Sequence, residues 1–165
     1  MKLGRTGSGV RTTWVPPPVV TLVCAWAMWH LAGAPPWAQW AQWPSPWQAP
    51  HVTAIGLWTL ALAIMALALA TMRAQRTTPN PVMPEQASAL VQTGVFANSR
   101  NPIYLADAIT LVGWAAWLSS AWALCVLPVF VAYITLMQIR AEEQALSALF
   151  GAHYSAYCQR VRRWL

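Results

Sequence analysis

The sequence predicts an all-α polytopic membrane protein with about four transmembrane helices and a cytoplasmic C-terminal helical segment. Of its 165 residues, 58% are hydrophobic and 8% are charged, whereas charged residues make up about 25% of an ordinary soluble domain. Twelve tryptophans and thirteen prolines point the same way, because indoles favour the membrane interface and membrane helices tolerate proline. These features argue against a soluble globular protein and predict a single membrane domain over residues 1–165.

An N-terminal helix pair is predicted over residues 14–72. Its second member is the clearest helix of the chain, because residues 52–72 carry no charge and about 20 apolar residues cross a bilayer. Residues 17–34 supply the first helix. Three prolines, Pro16 to Pro18, lie near its start, where a missing backbone N–H costs least.

The apolar run 103–139 is too long for one transmembrane helix. At about 1.5 Å per residue it would extend roughly 55 Å, whereas the hydrocarbon core is about 30 Å thick. The polar pair Ser119-Ser120 lies inside this run, so we expect helices at about 103–118 and 121–139, joined there by a tight hairpin.

Three further local features are read from proline and glycine. Pro128 removes the donor for the carbonyl of Leu124 and is expected to kink the fourth helix. Residues 73–102 have the composition of a loop, with room for a short helix at about 84–92. After residue 139 the chain is amphipathic, and Gly151 is expected to interrupt that segment.

The positive charges alternate with the four predicted helices. All ten Lys and Arg residues lie before the first helix, between the second and third, or after the fourth, and connections 35–51 and 119–120 have none. By the positive-inside rule both termini are cytoplasmic, which predicts an integral protein of the bacterial inner membrane. Four tryptophans spaced three or four residues apart predict a segment on the outer membrane surface: Trp37, Trp40, Trp43 and Trp47.

A signal peptide is an alternative interpretation of residues 1–34, which have a basic start, an apolar run and Ala32-Gly33-Ala34. Cleavage would leave three helices, whereas the charge distribution fits four without processing. The basic residues are separated by long uncharged stretches, so their net charge of +6 indicates topology and not a nucleic-acid partner. The three cysteines are widely spaced and indicate neither a disulfide framework nor a metal site.

Two sequence blocks lie on the predicted cytoplasmic side. Segment 93–107 reads TGVFANSRNPIYLAD, and segment 140–164 reads RAEEQALSALFGAHYSAYCQRVRRW. The first block contains Gly94, Phe96, Arg100, Asn101, Pro102 and Tyr104. The second contains Arg140, Ala141, Glu142, Glu143, Leu146, Phe150, Gly151, Tyr154, Tyr157, Arg160 and Val161. In this order they resemble the paired signatures of the isoprenylcysteine carboxyl methyltransferase and phospholipid methyltransferase superfamily of membrane enzymes.

The resemblance covers residues 93–164, within a signature region 93–165, and leaves the first two helices without specific similarity. Asn101 stands where carboxyl methyltransferases of this superfamily often have His, and Arg162 replaces a frequent proline. Both departures leave the fold prediction intact.

The resemblance implies S-adenosylmethionine as the methyl donor. It also implies a lipophilic or amphiphilic acceptor that enters from the lipid bilayer, with isoprenylcysteine-type carboxyl O-methylation as the most similar reaction. The residues carried over as catalytic are Arg140 and Glu143. Those carried over as cofactor-binding are Arg100, Asn101, Pro102, Tyr104, Glu142, Glu143, Tyr154 and Tyr157.

The side chains of this set suit the groups of the donor. Arg100 or Arg140 can form a bidentate pair with a carboxylate, and Glu142 and Glu143 can accept hydrogen bonds from ribose hydroxyls or an ammonium. The three tyrosines can cover the adenine or the sulfonium by stacking and cation–π contact. Arg140 can orient a carboxylate acceptor, with Glu143 holding Arg140 or the cofactor; for an amine acceptor, Glu143 is a candidate base.

The sequence is also compatible with two other functions. One is a phospholipid-type N-methyltransferase, and the other is a non-catalytic scaffold or transport accessory that keeps the fold. Arginines at the ends of membrane helices are commonly interfacial anchors, and Tyr154 and Tyr157 fit an aromatic belt. The two glutamates and the Arg-Asn-Pro-x-Tyr block favour the enzyme, because a scaffold has no need of ionisable residues there. The oligomeric state is left open.

Overall fold

The computed structural model describes residues 15–33, 49–75 and 89–165, and all regular structure within these ranges is helical. The α-helices within these ranges are α1 Pro17–Leu31, α2 Ala49–Ala74, α3 Pro102–Trp117, α4 Val126–Tyr133 and α5 Arg140–Arg160. Short 3-10 helices at Gly94–Ala97 and Trp122–Cys125 precede α3 and α4, and a π-helical turn at Ile134–Ile139 joins α4 to α5. The all-helical prediction is confirmed for the described ranges.

Among the described residues, two helices are long and apolar enough to cross a membrane, α2 and the continuous helical stretch Trp122–Phe150. Helix α1 is apolar but shorter. The predicted hairpin is present, because α3 ends at Trp117 and Ser119 turns the chain with a positive φ of 49°. The count of four membrane crossings and the cytoplasmic position of both termini remain predictions.

Small residues bring α2 and α3 together. Every seventh residue of one α2 stripe is a buried alanine: Ala54, Ala61 and Ala68. On α3, a Cβ added to Gly113 would lie 2.7 Å from Nε1 of Trp58, whose indole donates a hydrogen bond to the carbonyl of Thr110 at 3.2 Å. Small side chains at such an interface allow close backbone approach, and Gly113 leaves the space that the indole fills.

Helices α1, α3 and α4 and the π-helical turn share a core of larger side chains, with Met28, Leu111, Phe130 and Ile134 fully buried. Hydrogen bonds between helices fix their directions. The Trp114 indole donates to the carbonyl of Ala25 at 2.9 Å, and Nε2 of Gln138 donates to the carbonyl of Val15 at 2.9 Å. The start of α1 therefore lies at the same end of the bundle as the start of α5.

The other local predictions have different outcomes. Pro128 lies in the first turn of α4, shortly after the 3-10 helix Trp122–Cys125, where its missing N–H is tolerated; the kink expected there remains a prediction. Residues 89–92 are not helical, although they belong to the helix predicted at 84–92, and 84–88 lie outside the described residues. The four tryptophans predicted to lie on the outer surface, within connection 35–51, are also outside them.

Candidate active site

The start of α3 and the C-terminal segment are joined through backbone groups. The N–H of Arg100 donates to the carbonyl of Arg162 at 3.0 Å, and Nδ2 of Asn101 donates to the carbonyl of Arg163 at 2.9 Å. Asn101 occupies the N-cap position of α3, yet its side chain makes no capping bond. Its amide is used to hold the C-terminal segment, and buried Pro102 follows as the first helical residue.

Glu143 is the centre of a charged cluster that joins both sequence blocks. Its carboxylate accepts two parallel hydrogen bonds from Arg163, at 2.9 Å from Nε and 2.7 Å from Nη2, and lies 3.1 Å from Nη1 of Arg100. The Glu143 and Arg100 side chains are 18% and 13% exposed, and Arg163 is 37% exposed. Two guanidiniums and one carboxylate leave this cluster with one net positive charge.

Arg100 has a second set of contacts on α5. Its Nη1 donates to Sγ of Cys158 at 2.6 Å and lies 3.5 Å from the hydroxyl of Tyr154. Its Nε is buried and has no hydrogen-bond partner among the described residues. An unpaired buried donor costs about 1–3 kcal/mol, so this nitrogen is suited to receive an acceptor from a ligand.

Tyr104 and Glu142 form a second link between α3 and α5. The hydroxyl of Tyr104, in the first turn of α3, donates to Oε1 of Glu142. Tyr104 is buried and Glu142 is half-buried. The two adjacent glutamates thus bond to different partners on the first block, and both blocks meet in one region, as the sequence predicts.

The two tyrosines of α5 lie beyond a break in the helix. Gly151 has φ 49° and ψ −119°, which confirms the predicted interruption. Tyr154 and Tyr157 are buried after it, with ring centroids 6.3 Å apart, and the Tyr157 hydroxyl donates to the carbonyl of Phe96 at 2.7 Å. Burial raises the pKa of both phenols, that of Tyr157 to about 12, so both remain proton donors at neutral pH.

Arg140 lies apart from this cluster. It is exposed at the start of α5, and within the described ranges its side chain makes no ion pair or hydrogen bond. The sequence interpretation in which Glu143 holds Arg140 one turn away is wrong for this structure, because Glu143 is held by Arg100 and Arg163 instead. Its predicted catalytic role, like the roles assigned to the other site residues, remains a prediction.

Arg163 and Cys158 were not included among the candidate site residues. The hydrogen bonds to Glu143 raise the pKa of Arg163, so its guanidinium stays charged. The available signal was the arginine-rich end of the second block, where Arg160, Arg162 and Arg163 stand together. That signal does not say which arginine turns inward, because the segment after Arg160 is not helical and has no periodicity to read.

Comparisons with known proteins identify a family for this chain. The profile of the family described as Phospholipid methyltransferase matches residues 49–153, which include α2, α3, α4 and the start of α5. A protein of Haemophilus influenzae, named only "Uncharacterized protein", is 38% identical over 63 residues, which are 38% of this chain and the whole of that protein. No solved structure matches this chain.

Proposed function

Because this chain belongs to the phospholipid methyltransferase family, part of the isoprenylcysteine carboxyl methyltransferase-like superfamily, we propose that it transfers a methyl group from S-adenosylmethionine to a lipophilic or amphiphilic acceptor. The family and the two long apolar helices indicate a membrane protein. The observation that carries the proposal is the cluster of Arg100, Glu143 and Arg163, which joins both sequence blocks at one end of the bundle.

The residues present fit the donor. The unpaired Nε of Arg100 and the net positive charge of the cluster suit an amino-acid carboxylate. Glu142 gives Oε1 to Tyr104, which leaves its other oxygen for an ammonium or a hydroxyl. When bound, S-adenosylmethionine supplies an electrophilic methyl group on a sulfonium. The chain's own contribution is to bind and orient the two reactants and to exclude water around them.

The chemistry of the two glutamates bears on the acceptor. Glu143 accepts two hydrogen bonds from Arg163 and forms an ion pair with Arg100, so its two oxygens are already engaged by guanidinium groups. A carboxylate acceptor needs no general base, so this arrangement favours carboxyl O-methylation. The family description favours the second candidate, N-methylation of a phospholipid amine; there Glu142, whose partner is a neutral hydroxyl, is the better placed base.

An assay of methyl transfer distinguishes these functions. Protein in nanodiscs is incubated with methyl-labelled S-adenosylmethionine and bacterial membrane extract, and the extracted products are treated with alkali. Carboxyl methyl esters release volatile methanol under these conditions, whereas N-methyl groups are retained. Label in the alkali-labile fraction supports O-methylation, and label in the stable fraction supports the phospholipid reaction. If folded protein labels neither fraction, the proposed methyltransferase activity is wrong and a non-catalytic scaffold is the remaining interpretation.

We also propose that the protein lies in the bacterial inner membrane with both termini cytoplasmic. The distribution of all ten Lys and Arg residues supports this orientation. Reporter fusions after residues 45 and 90 are then expected on opposite sides of the membrane. Reporters on the same side would contradict the four-helix topology.

A further inference from the structure

We propose that residues 161–165 act as a strap over the donor site, and that Arg163 in this strap is a positioning residue that acts through Glu143. The inference rests on the proposed methyltransferase function and extends it beyond the residues matched by the family, which end at residue 153. It assigns a role in donor binding to a segment that follows the last helix.

The strap is fixed by contacts and not by secondary structure. Helix α5 ends at Arg160, and the successive residues 162–164 bond to two other parts of the molecule. Arg162 and Arg163 give their carbonyls to Arg100 and Asn101, at the start of α3. The Trp164 indole donates to Oγ1 of Thr135 in the π-helical turn, at 3.2 Å. These tethers hold the chain across the end of the bundle where both blocks meet.

The side chain of Arg163 determines how the Glu143 carboxylate lies. A guanidinium that donates from Nε and Nη2 to both oxygens fixes the plane of the carboxylate as well as its position. Arg100 approaches the carboxylate at Oε1, which lies 3.1 Å from its Nη1. Without Arg163, Oε2 loses its ion pair with Nη2, and the carboxylate is free to turn because no two-point contact fixes its plane. That movement changes the position of the Arg100 guanidinium, the group proposed to receive the donor's carboxylate.

The neighbouring arginine provides a matched control. Arg162 has the same charge and lies in the same strap, but its side chain is exposed and makes no hydrogen bond or ion pair within the described part of the chain. Its attachment is through the backbone carbonyl, which a substitution retains. A general effect of positive charge would be shared by both arginines, whereas positioning of Glu143 belongs to Arg163.

The test is a double-mutant cycle on the full-length protein in nanodiscs. S-Adenosylhomocysteine is titrated by calorimetry, up to millimolar concentrations, into the parent, Arg163→Gln, Arg162→Gln, Glu143→Gln and the Arg163→Gln/Glu143→Gln double variant. We expect Arg163→Gln to raise Kd about 10-fold and Arg162→Gln to change it less than about 2-fold. Once Glu143 is neutral, Arg163→Gln should add less than about 2-fold, because coupled residues are not additive.

Arg163→Lys provides a second, more conservative variant. It retains the charge but not the two-point geometry, so we expect a Kd between those of the parent and Arg163→Gln. It carries the test alone if Arg163→Gln does not fold. A Kd equal to that of the parent for Arg163→Lys overturns the positioning role.

The remaining outcomes separate the two proposals. If Arg163→Gln binds S-adenosylhomocysteine as tightly as the parent does, the inference is wrong and the proposed function stands. The inference is also wrong if Arg162→Gln weakens binding as much as Arg163→Gln does. It is equally wrong if Arg163→Gln weakens binding as much in the Glu143→Gln background as it does in the parent. A folded parent that shows no binding overturns the proposed function, and the role of the strap in donor binding falls with it.

Discussion

The α2–α3 interface and the charged cluster at the start of α3 are held together by different kinds of contact. Packing at the interface depends on small residues, because Gly113 has no Cβ and leaves room for the Trp58 indole. The cluster is held by ion pairs, with the Glu143 carboxylate between the guanidinium groups of Arg100 and Arg163. One region therefore responds to added volume, and the other responds to lost charge or geometry.

This difference has energetic consequences for substitutions. A methyl group forced into a close-packed interface costs stability through displaced neighbours, but it leaves charged groups as they were. Removing one member of a partly buried cluster of charges leaves the charges of the other members uncompensated. Substitutions in the cluster should therefore affect ligand binding and turnover most, and substitutions in the interface should affect folding most.

The largest effect is expected for Glu143→Gln. The substitution keeps the shape of the side chain but removes the charge between two arginines. Loss of a charge-assisted contact of about 1.5–3 kcal/mol predicts turnover lowered by roughly 10-fold to 100-fold, measured as methyl transfer per folded protein. Gln144→Ala, at an exposed neighbouring position, serves as the control. If both variants transfer methyl groups like the parent, the cluster is not the site.

Gly113→Ala should have the next largest effect, and on stability. The added Cβ would lie 2.7 Å from Nε1 of Trp58, so the indole must move and its bond to Thr110 is weakened. We expect a loss of about 1–3 kcal/mol in unfolding free energy, seen as a lower Tm in detergent. Gly56→Ala is the matched control on α2, because its added Cβ has no atom within 4 Å. Equal Tm values for both variants would contradict the packing account.

Tyr157→Phe is expected to have a smaller effect. The substitution removes the hydrogen bond to the carbonyl of Phe96, which ties the end of α5 to the turn before α3. The expected loss is about 0.5–1.5 kcal/mol of stability, again measured as Tm. Donor affinity should change less than in Glu143→Gln. If the variant loses more donor affinity than stability, we would infer that Tyr157 contacts the ligand directly and does not only support the site.

The sequence predicted the helices because their signals are local. The apolar run 52–72 lies within α2, and the polar pair at Ser119 marks the end of α3. Gly151 was identified as a break, and its positive φ explains the choice of residue. The π-helical turn before Arg140 was not predicted, because its sequence, ITLMQI, contains no residue that distinguishes a π turn from an α-helix.

The candidate site was predictable only in part. The two blocks identified Arg100, Tyr104, Glu142 and Glu143, and the structure brings these residues together. The sequence interpretation gave Glu143 either Arg140 or the cofactor as its partner. The observed protein partner is a tertiary contact, because the strap after Arg160 returns to the start of α3 and places Arg163, twenty residues further along the chain, against Glu143. Sequence spacing cannot supply such a contact.

The most direct test of the donor site is photo-crosslinking with a photoreactive analogue of S-adenosylhomocysteine, followed by mapping of the labelled peptides. Unlabelled S-adenosylmethionine is added in parallel to identify specific labels. The structure and the proposed function predict competed labels in residues 93–107 and 140–164, and none in residues 49–75 of the α2 segment. Competed labels confined to residues 49–75, or no competed label on folded protein, would contradict a donor site at the meeting point of α3 and α5.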